Sequence, residues 1–174
     1  MKKGLDNSAE LEILRNAGCS GDVIEHCLAV CRLATSIADE LNIHTDRNLL
    51  MRGALLHDIG RSKTHGVAHV TEGVRMAKEL KLGREIERII ERHIGAGVTA
   101  KEAAVLGLPA KDHIPETPEE KIIAYADNLT RGKKIVSFEE SLRMFKEKLG
   151  ADSPAIDRMI LLHKELEGWK KQHL

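Results

Sequence analysis

Aromatic side chains are nearly missing from these 174 residues: two phenylalanines, one tyrosine and one tryptophan. Tyr125, Phe138, Phe145 and Trp169 are too few to build a row of base-stacking platforms, which argues against general single-strand binding. Net charge is missing too, with Lys plus Arg and Asp plus Glu both at 27. A binder of duplex nucleic acid held by phosphate neutralisation would carry a basic excess, so no stable nucleic-acid complex is expected. No apolar run approaches the roughly 18 residues a membrane-spanning helix needs. The start, MKKGLDNSAELEIL, is basic but lacks the apolar stretch of a signal peptide, and a cytoplasmic protein without a membrane partner is expected. Cysteine is scarce and odd in number: Cys19, Cys27 and Cys31 read as reduced thiols packed in a core. Cys27 and Cys31 lie four apart on one helical stretch, but two thiolates without a second nearby pair are a weak metal signal.

What is abundant is aliphatic residues in helical register. The apolar fraction of 42% is enough to bury a core, and the length fits one domain. Val23, Cys27, Val30, Ala34, Ile37 and Leu41 recur at spacings of four and three, a stripe that must pack on other helices. No strong strand pair joined by a hairpin turn is evident, so an all-α, single-domain helical bundle is expected. Asn7 or Ser8 can cap a first helix closed by Gly18, Ser20 or Asp22 a second, and Thr45 or Asp46 a third that Gly60 stops. Further helices are expected from His69 to Leu80, from Arg84 to His93, from Pro118 through Gly132, after Ser137, and from Ser153 or Pro154 onward. Between them, Gly107 to Pro118 holds three of the four prolines and reads as an irregular loop.

Chemistry-bearing residues are scattered along this pattern. His26 shares register with Val30, Leu33 and Ile37. Asp58 follows Ala54-Leu55-Leu56-His57 at the edge of a buried helix, and Asp127 sits among Ile123, Ala124, Ala126 and Thr130. A carboxylate in such a place is costly unless paired or bound to metal. Imidazole and carboxylate groups from separate helices of a bundle are ordinary ligands for zinc, iron or manganese.

His26, the pair His57-Asp58 inside HDIGR, and Asp127 inside YADNL resemble the H…HD…D signature of the HD-domain phosphohydrolase superfamily, over about residues 20 to 132. The resemblance implies that these four residues ligate one divalent ion. It also implies that His69 and His93, 24 residues apart, ligate a second in two-ion members. Iron is the leading metal by that likeness, with manganese, cobalt or zinc as alternatives. Two such ions would support attack of a metal-bound hydroxide on a phosphate ester. Asp58 would then be central to catalysis. Arg61 and Lys63 are candidates to hold phosphate oxygens, Arg61 also as a catalytic group. His113, in the proline-rich loop, is a candidate proton donor to the leaving group, or a further ligand, if that loop folds over the site.

The layout is also similar to a small archaeal group of HDIG proteins. That likeness points to a phosphodiesterase acting on a small cyclic phosphate or nucleotide-like substrate, with dihydroneopterin 2′,3′-cyclic phosphate as the leading specific candidate. A mononuclear 5′-nucleotidase is the alternative within chemistry, and a non-catalytic nucleotide-binding module the alternative outside it. The expected organisation is an N-terminal helix over 1–19, the HD core over 20–132, and C-terminal helices over 133–174. Those last helices either complete the bundle or expose a face for homo-oligomer formation.

Overall fold

The structure, a computed structural model, describes residues 7–170. Nine α-helices follow one another among the described residues: α1 (Ser8–Ala17), α2 (Gly21–Glu40), α3 (Arg47–Leu56), α4 (His69–Glu79), α5 (Arg84–Arg92), α6 (Ala100–Leu106), α7 (Pro118–Asn128), α8 (Phe138–Leu149) and α9 (Pro154–Gly168). A 3-10 turn, Ile59–Ser62, lies between α3 and α4. The all-α architecture expected from periodicity is present. A minute hairpin, β1 (Thr130–Arg131) paired with β2 (Lys134–Ile135), departs from it. Gly132 makes the turn possible with φ +57°, a conformation that an L side chain resists.

Helix starts follow capping chemistry. Ser20 rather than Asp22 caps α2, accepting from the Val23 N–H, and Asp46 rather than Thr45 caps α3, accepting from Leu49. Thr117 and Glu120 close a reciprocal capping box around α7, with Pro118 in the first turn where its missing N–H costs nothing. A matching box, Thr99 with Glu102, starts α6, a short helix that periodicity alone does not announce.

The long helix α2 is the axis of the core and packs against α3 and α7. Its stripe points inward as expected: Cys27, Val30 and Ala34 are buried, with Ile37 at the margin. Cys19 and Cys31 are also buried, and burial pushes both thiols up to about 11, so they are packing groups. From the C-terminal segment, α9 supplies Ile156, Met159, Leu162 and Leu166 to the core. Helix α8 buries only Ser141 fully, while Leu142 and Phe145 lean on the core from outside. No helix among the described residues is long and apolar enough to cross a membrane.

The third element of consequence is the packing of the 3-10 turn on α4. Gly60 lies so near that helix that a Cβ there would meet the His69 carbonyl oxygen at 1.9 Å and the Gly73 nitrogen at 2.6 Å. Two glycines, Gly60 and Gly73, therefore let two backbones touch. That contact sets Asp58, just before the turn, against His69 at the start of α4.

Candidate metal centre

Four histidines and two aspartates meet where α2, α3, α4, α5 and α7 converge. His57 ends α3 and His93 ends α5, each at the position after the last helical residue. The carbonyls of a last helical turn have no partner within the helix. Each histidine takes one up, the Nδ1 of His57 donating to Ala54 O at 2.7 Å and that of His93 to Ile90 O at 2.8 Å. His69 repeats the pattern with Gly66 O at 2.8 Å. His26, midway along α2, reaches instead to Gly132 O in the hairpin, also at 2.8 Å.

A carbonyl only accepts, so all four rings carry a hydrogen on Nδ1 and turn Nε2 inward, where it can hold a proton or a metal ion. Those Nε2 atoms crowd. His69 Nε2 and His93 Nε2 are 3.1 Å apart, and His57 Nε2 is buried with no hydrogen-bond partner. His26 Nε2 lies 2.9 Å and His57 Nε2 3.5 Å from Asp127 Oδ1. Asp58, 2% exposed, divides its two oxygens. Its Oδ1 faces His69 at 3.1 Å and His93 at 3.5 Å, while its Oδ2 faces His26 and His57, each at 3.7 Å.

Two atoms bound to one ion at about 2.1 Å stand roughly 3.0 Å apart at a right angle and roughly 3.4 Å apart in a tetrahedron. The separations observed are the edges of such polyhedra. The donor set of imidazole and carboxylate suits a divalent transition metal, and two Nε2 atoms 3.1 Å apart repel unless a proton or a metal ion lies between them. The residues present therefore fit the metal centre.

Charge balance points the same way. Burial disfavours ionised Asp58, but the His57 charge and the hydrogen bonds of His69 and His93 outweigh it and hold its carboxyl well below the usual range. Asp127 is lowered likewise, burial being outweighed by His26 and His57. Burial also opposes a charge on His57, yet Asp58 overrides it and raises that imidazole well above its ordinary value. His93, for which burial dominates, is lowered. The cluster thus draws positive charge into its centre.

Around it opens a cavity of about 710 Å³. Arg61 stands on its wall, with Nε 2.5 Å from Asp58 Oδ2 and Nη1 donating to His65 O at 3.2 Å. Lys63 does not line the cavity, and neither does His113. His113 is 2% exposed, held by a backbone bridge to Val98 and by a 2.9 Å bond from its Nε2 to Pro109 O. The proline-rich loop thus folds onto its own flank, and the geometry corrects the expectation that His113 serves the site as proton donor or ligand. The lining also includes residues that the sequence reading passed over, among them His65, Asn128, Phe145 and Lys148. Arg131 also lines the cavity, and its guanidinium stacks over the Phe145 ring at 5.2 Å.

Comparison with known proteins gives four findings. The family model described as HD domain matches residues 23–132. The chain is 46% identical over 164 residues to the uncharacterized protein MJ0778 of Methanocaldococcus jannaschii, covering 92% of this chain and 96% of that one. It is 41% identical over 161 residues to a protein of Picrophilus torridus named tRNA (cytidine(56)-2′-O)-methyltransferase, covering 92% of this chain and only 46% of the relative. The chain thus spans about half of that protein. Among solved structures, the HD domain of the Listeria monocytogenes phosphodiesterase PgpH, in complex with cyclic-di-AMP, superposes with a TM-score of 0.55 at 17% identity, covering 95% of this chain and 99% of that one.

Proposed function

Because the chain belongs to the HD domain family, we propose that it is a metal-dependent phosphodiesterase holding two divalent ions, with a small cyclic phosphate or nucleotide-like diester as substrate. The observation that carries this reading is the division of Asp58, whose Oδ1 serves the His69–His93 pair and whose Oδ2 serves His26, His57 and, through them, Asp127. A carboxylate divided in this way would be shared by two metal sites, one held by His69 and His93 and one by His26, His57 and Asp127. Iron is the first candidate, and mixed histidine and carboxylate ligands also accept manganese, cobalt or zinc.

When bound, such ions neutralise phosphoryl charge and lower the pKa of water to near neutrality. The chain's own residues supply the rest. The four Nδ1–carbonyl bonds fix ring planes, so no reorganisation is needed when substrate arrives. Arg61 holds Asp58 in orientation and keeps Nη2 for a non-bridging phosphate oxygen, which its planar fork suits. The cavity is several times larger than a phosphate group and has room for the organic part of an ester.

The test is elemental analysis of protein purified without oxygen, followed by turnover on a panel. The panel holds dihydroneopterin 2′,3′-cyclic phosphate, the leading specific candidate, cyclic-di-AMP, bis(p-nitrophenyl) phosphate and AMP. Two metal ions per chain with diesters cleaved in preference to AMP is the expected result. One ion with AMP preferred would replace this reading with a mononuclear nucleotidase, and no metal after reconstitution would replace it with a non-catalytic binding module.

A further inference from the structure

Beyond the metal cluster, the far wall of the cavity is built by the hairpin after α7 and by α8, and α8 lies outside the matched residues 23–132. Two cations stand there, Arg131 and Lys148. Neither forms an ion pair with a described residue, although the neighbouring Lys133 of the same hairpin pairs outward with Glu25 at 3.2 Å. Arg131 is held in place without being neutralised. Its guanidinium lies over Phe145, and Nη2 makes one long bond, 3.4 Å, to Ser141 Oγ. Ser141 is itself fully buried and donates to Asn128 O, so the anchor is rigid. Arg131 Nε is buried and has no acceptor.

A buried guanidinium N–H without an acceptor is costly, and a planar fork braced on an aromatic ring is pre-organised for an oxyanion. Arg61 is ion-paired to Asp58 beside the cluster, whereas Arg131 and Lys148 are lining cations without an ion pair to a described residue; Asp22 on the first turn of α2 also lines the cavity. The subsite is tied to the reacting centre by the backbone. Gly132, the residue after Arg131, accepts the Nδ1 hydrogen of His26.

We propose that Arg131 and Lys148 form an anion subsite for a second phosphate, so that the preferred substrates carry a phosphate besides the one cleaved. The inference rests on the phosphodiesterase reading and narrows it. It ranks phosphorylated or cyclic dinucleotides above diesters with a single anionic group, including dihydroneopterin 2′,3′-cyclic phosphate.

The experiment uses the protein as purified with its metal and two slowly cleaved probes, a phosphorothioate-linked adenosine dinucleotide with and without a 5′-phosphate. Calorimetry gives the ratio of their dissociation constants. A charged hydrogen-bonded contact of this kind predicts a preference of about tenfold or more for the phosphorylated probe. Arg131→Gln and Lys148→Ala each bring the ratio towards one. Lys148 is exposed, so its variant carries the test if loss of the Arg131 stack unfolds the chain. Equal binding of the two probes to the wild-type protein, or a preference that survives in a folded variant, overturns the subsite. Binding preference without turnover of any dinucleotide overturns the phosphodiesterase reading and leaves the subsite standing.

Discussion

Replacing Gly60 with alanine tests whether backbone contact, rather than the ligands alone, builds this site. The added Cβ would lie 1.9 Å from the His69 carbonyl oxygen, 2.9 Å from its carbon and 2.6 Å from Gly73 N, all of them backbone atoms. Ordinary contact begins near 3.4 Å, so the turn must retreat from α4 by roughly 1.5 Å. Overpacking in a core costs about 1–3 kcal/mol, and here no flexible side chain can give way, so a value near 3 is expected. For a chain of this size that lowers Tm by roughly 6–12 °C. The functional effect is larger still. Metal–ligand distances tolerate about 0.2 Å, and the same retreat moves Asp58 Oδ1 away from His69 and His93. Thermal melting and metal content measured on the same sample separate the two effects. A Gly60→Ala protein with unchanged Tm and its full metal content would refute the claim that this turn's contact with α4 sets the ligand geometry.

Other substitutions follow from the ligand geometry. Asp58→Asn removes the carboxylate that both halves of the cluster share, and turnover of any diester is expected to fall by more than about a hundredfold. His69→Ala leaves the His26–His57–Asp127 group in place, so elemental analysis should find close to one ion per chain in a folded protein. Metal uptake must displace the proton that Asp58 and Asp127 draw onto His57, so calorimetry in buffers of different ionisation enthalpy should register proton release. The metal-free protein should lose stability at both ends of the pH scale. The depressed carboxyls of Asp58 and Asp127 contribute fully above about 4, and that contribution fades as pH falls below it. The raised imidazole of His57 contributes fully below about 6.5 and its contribution is lost as pH rises through the raised value. Thermal melts of chelated protein across pH check both limbs, and metal should abolish the alkaline one.

Much of the bundle is readable because its signals are local. Ser20, Asp46, Thr117 and Ser137 cap the helices they precede, and the α2 stripe buries the side chains its spacing selects. The parts that escaped depend on contacts distant in sequence. Helix α6 has seven residues, too few for periodicity to register, although Thr99 and Glu102 at capping-box spacing could have announced it. The hairpin at Gly132 has strands of two residues, held in place by a histidine 106 positions earlier. His113 lies in a proline-rich loop, and a composition that excludes helix does not say which way the loop turns. It turned towards Val98.

The candidate site divides along the same line. His57, His69 and His93 each bond the carbonyl three residues before them, so chain position alone aims their Nε2 atoms. Two of them also use carbonyls that a helix end leaves without a partner. A histidine at the end of an apolar helix is thus a signal with a mechanism: it satisfies the helix and, in doing so, selects its own tautomer. His26 has no such local device. In mid-helix its carbonyls are already taken, and its ring must be aimed by Gly132, whose place depends on the whole path of the chain between them. The same hairpin presents Arg131 to the cavity, and α8 brings Phe145 and Lys148 to it. The candidate metal ligands are therefore legible and the wall facing them is not, because such ligands recur as a pattern of residue types while the opposite wall is defined only by where α8 packs. A segment that contributes a single fully buried residue to the core is also one whose cavity-facing side chains are free to change without unfolding the bundle. On the proposed reading, substrate preference can therefore change at residues 131–148, apart from the candidate metal ligands.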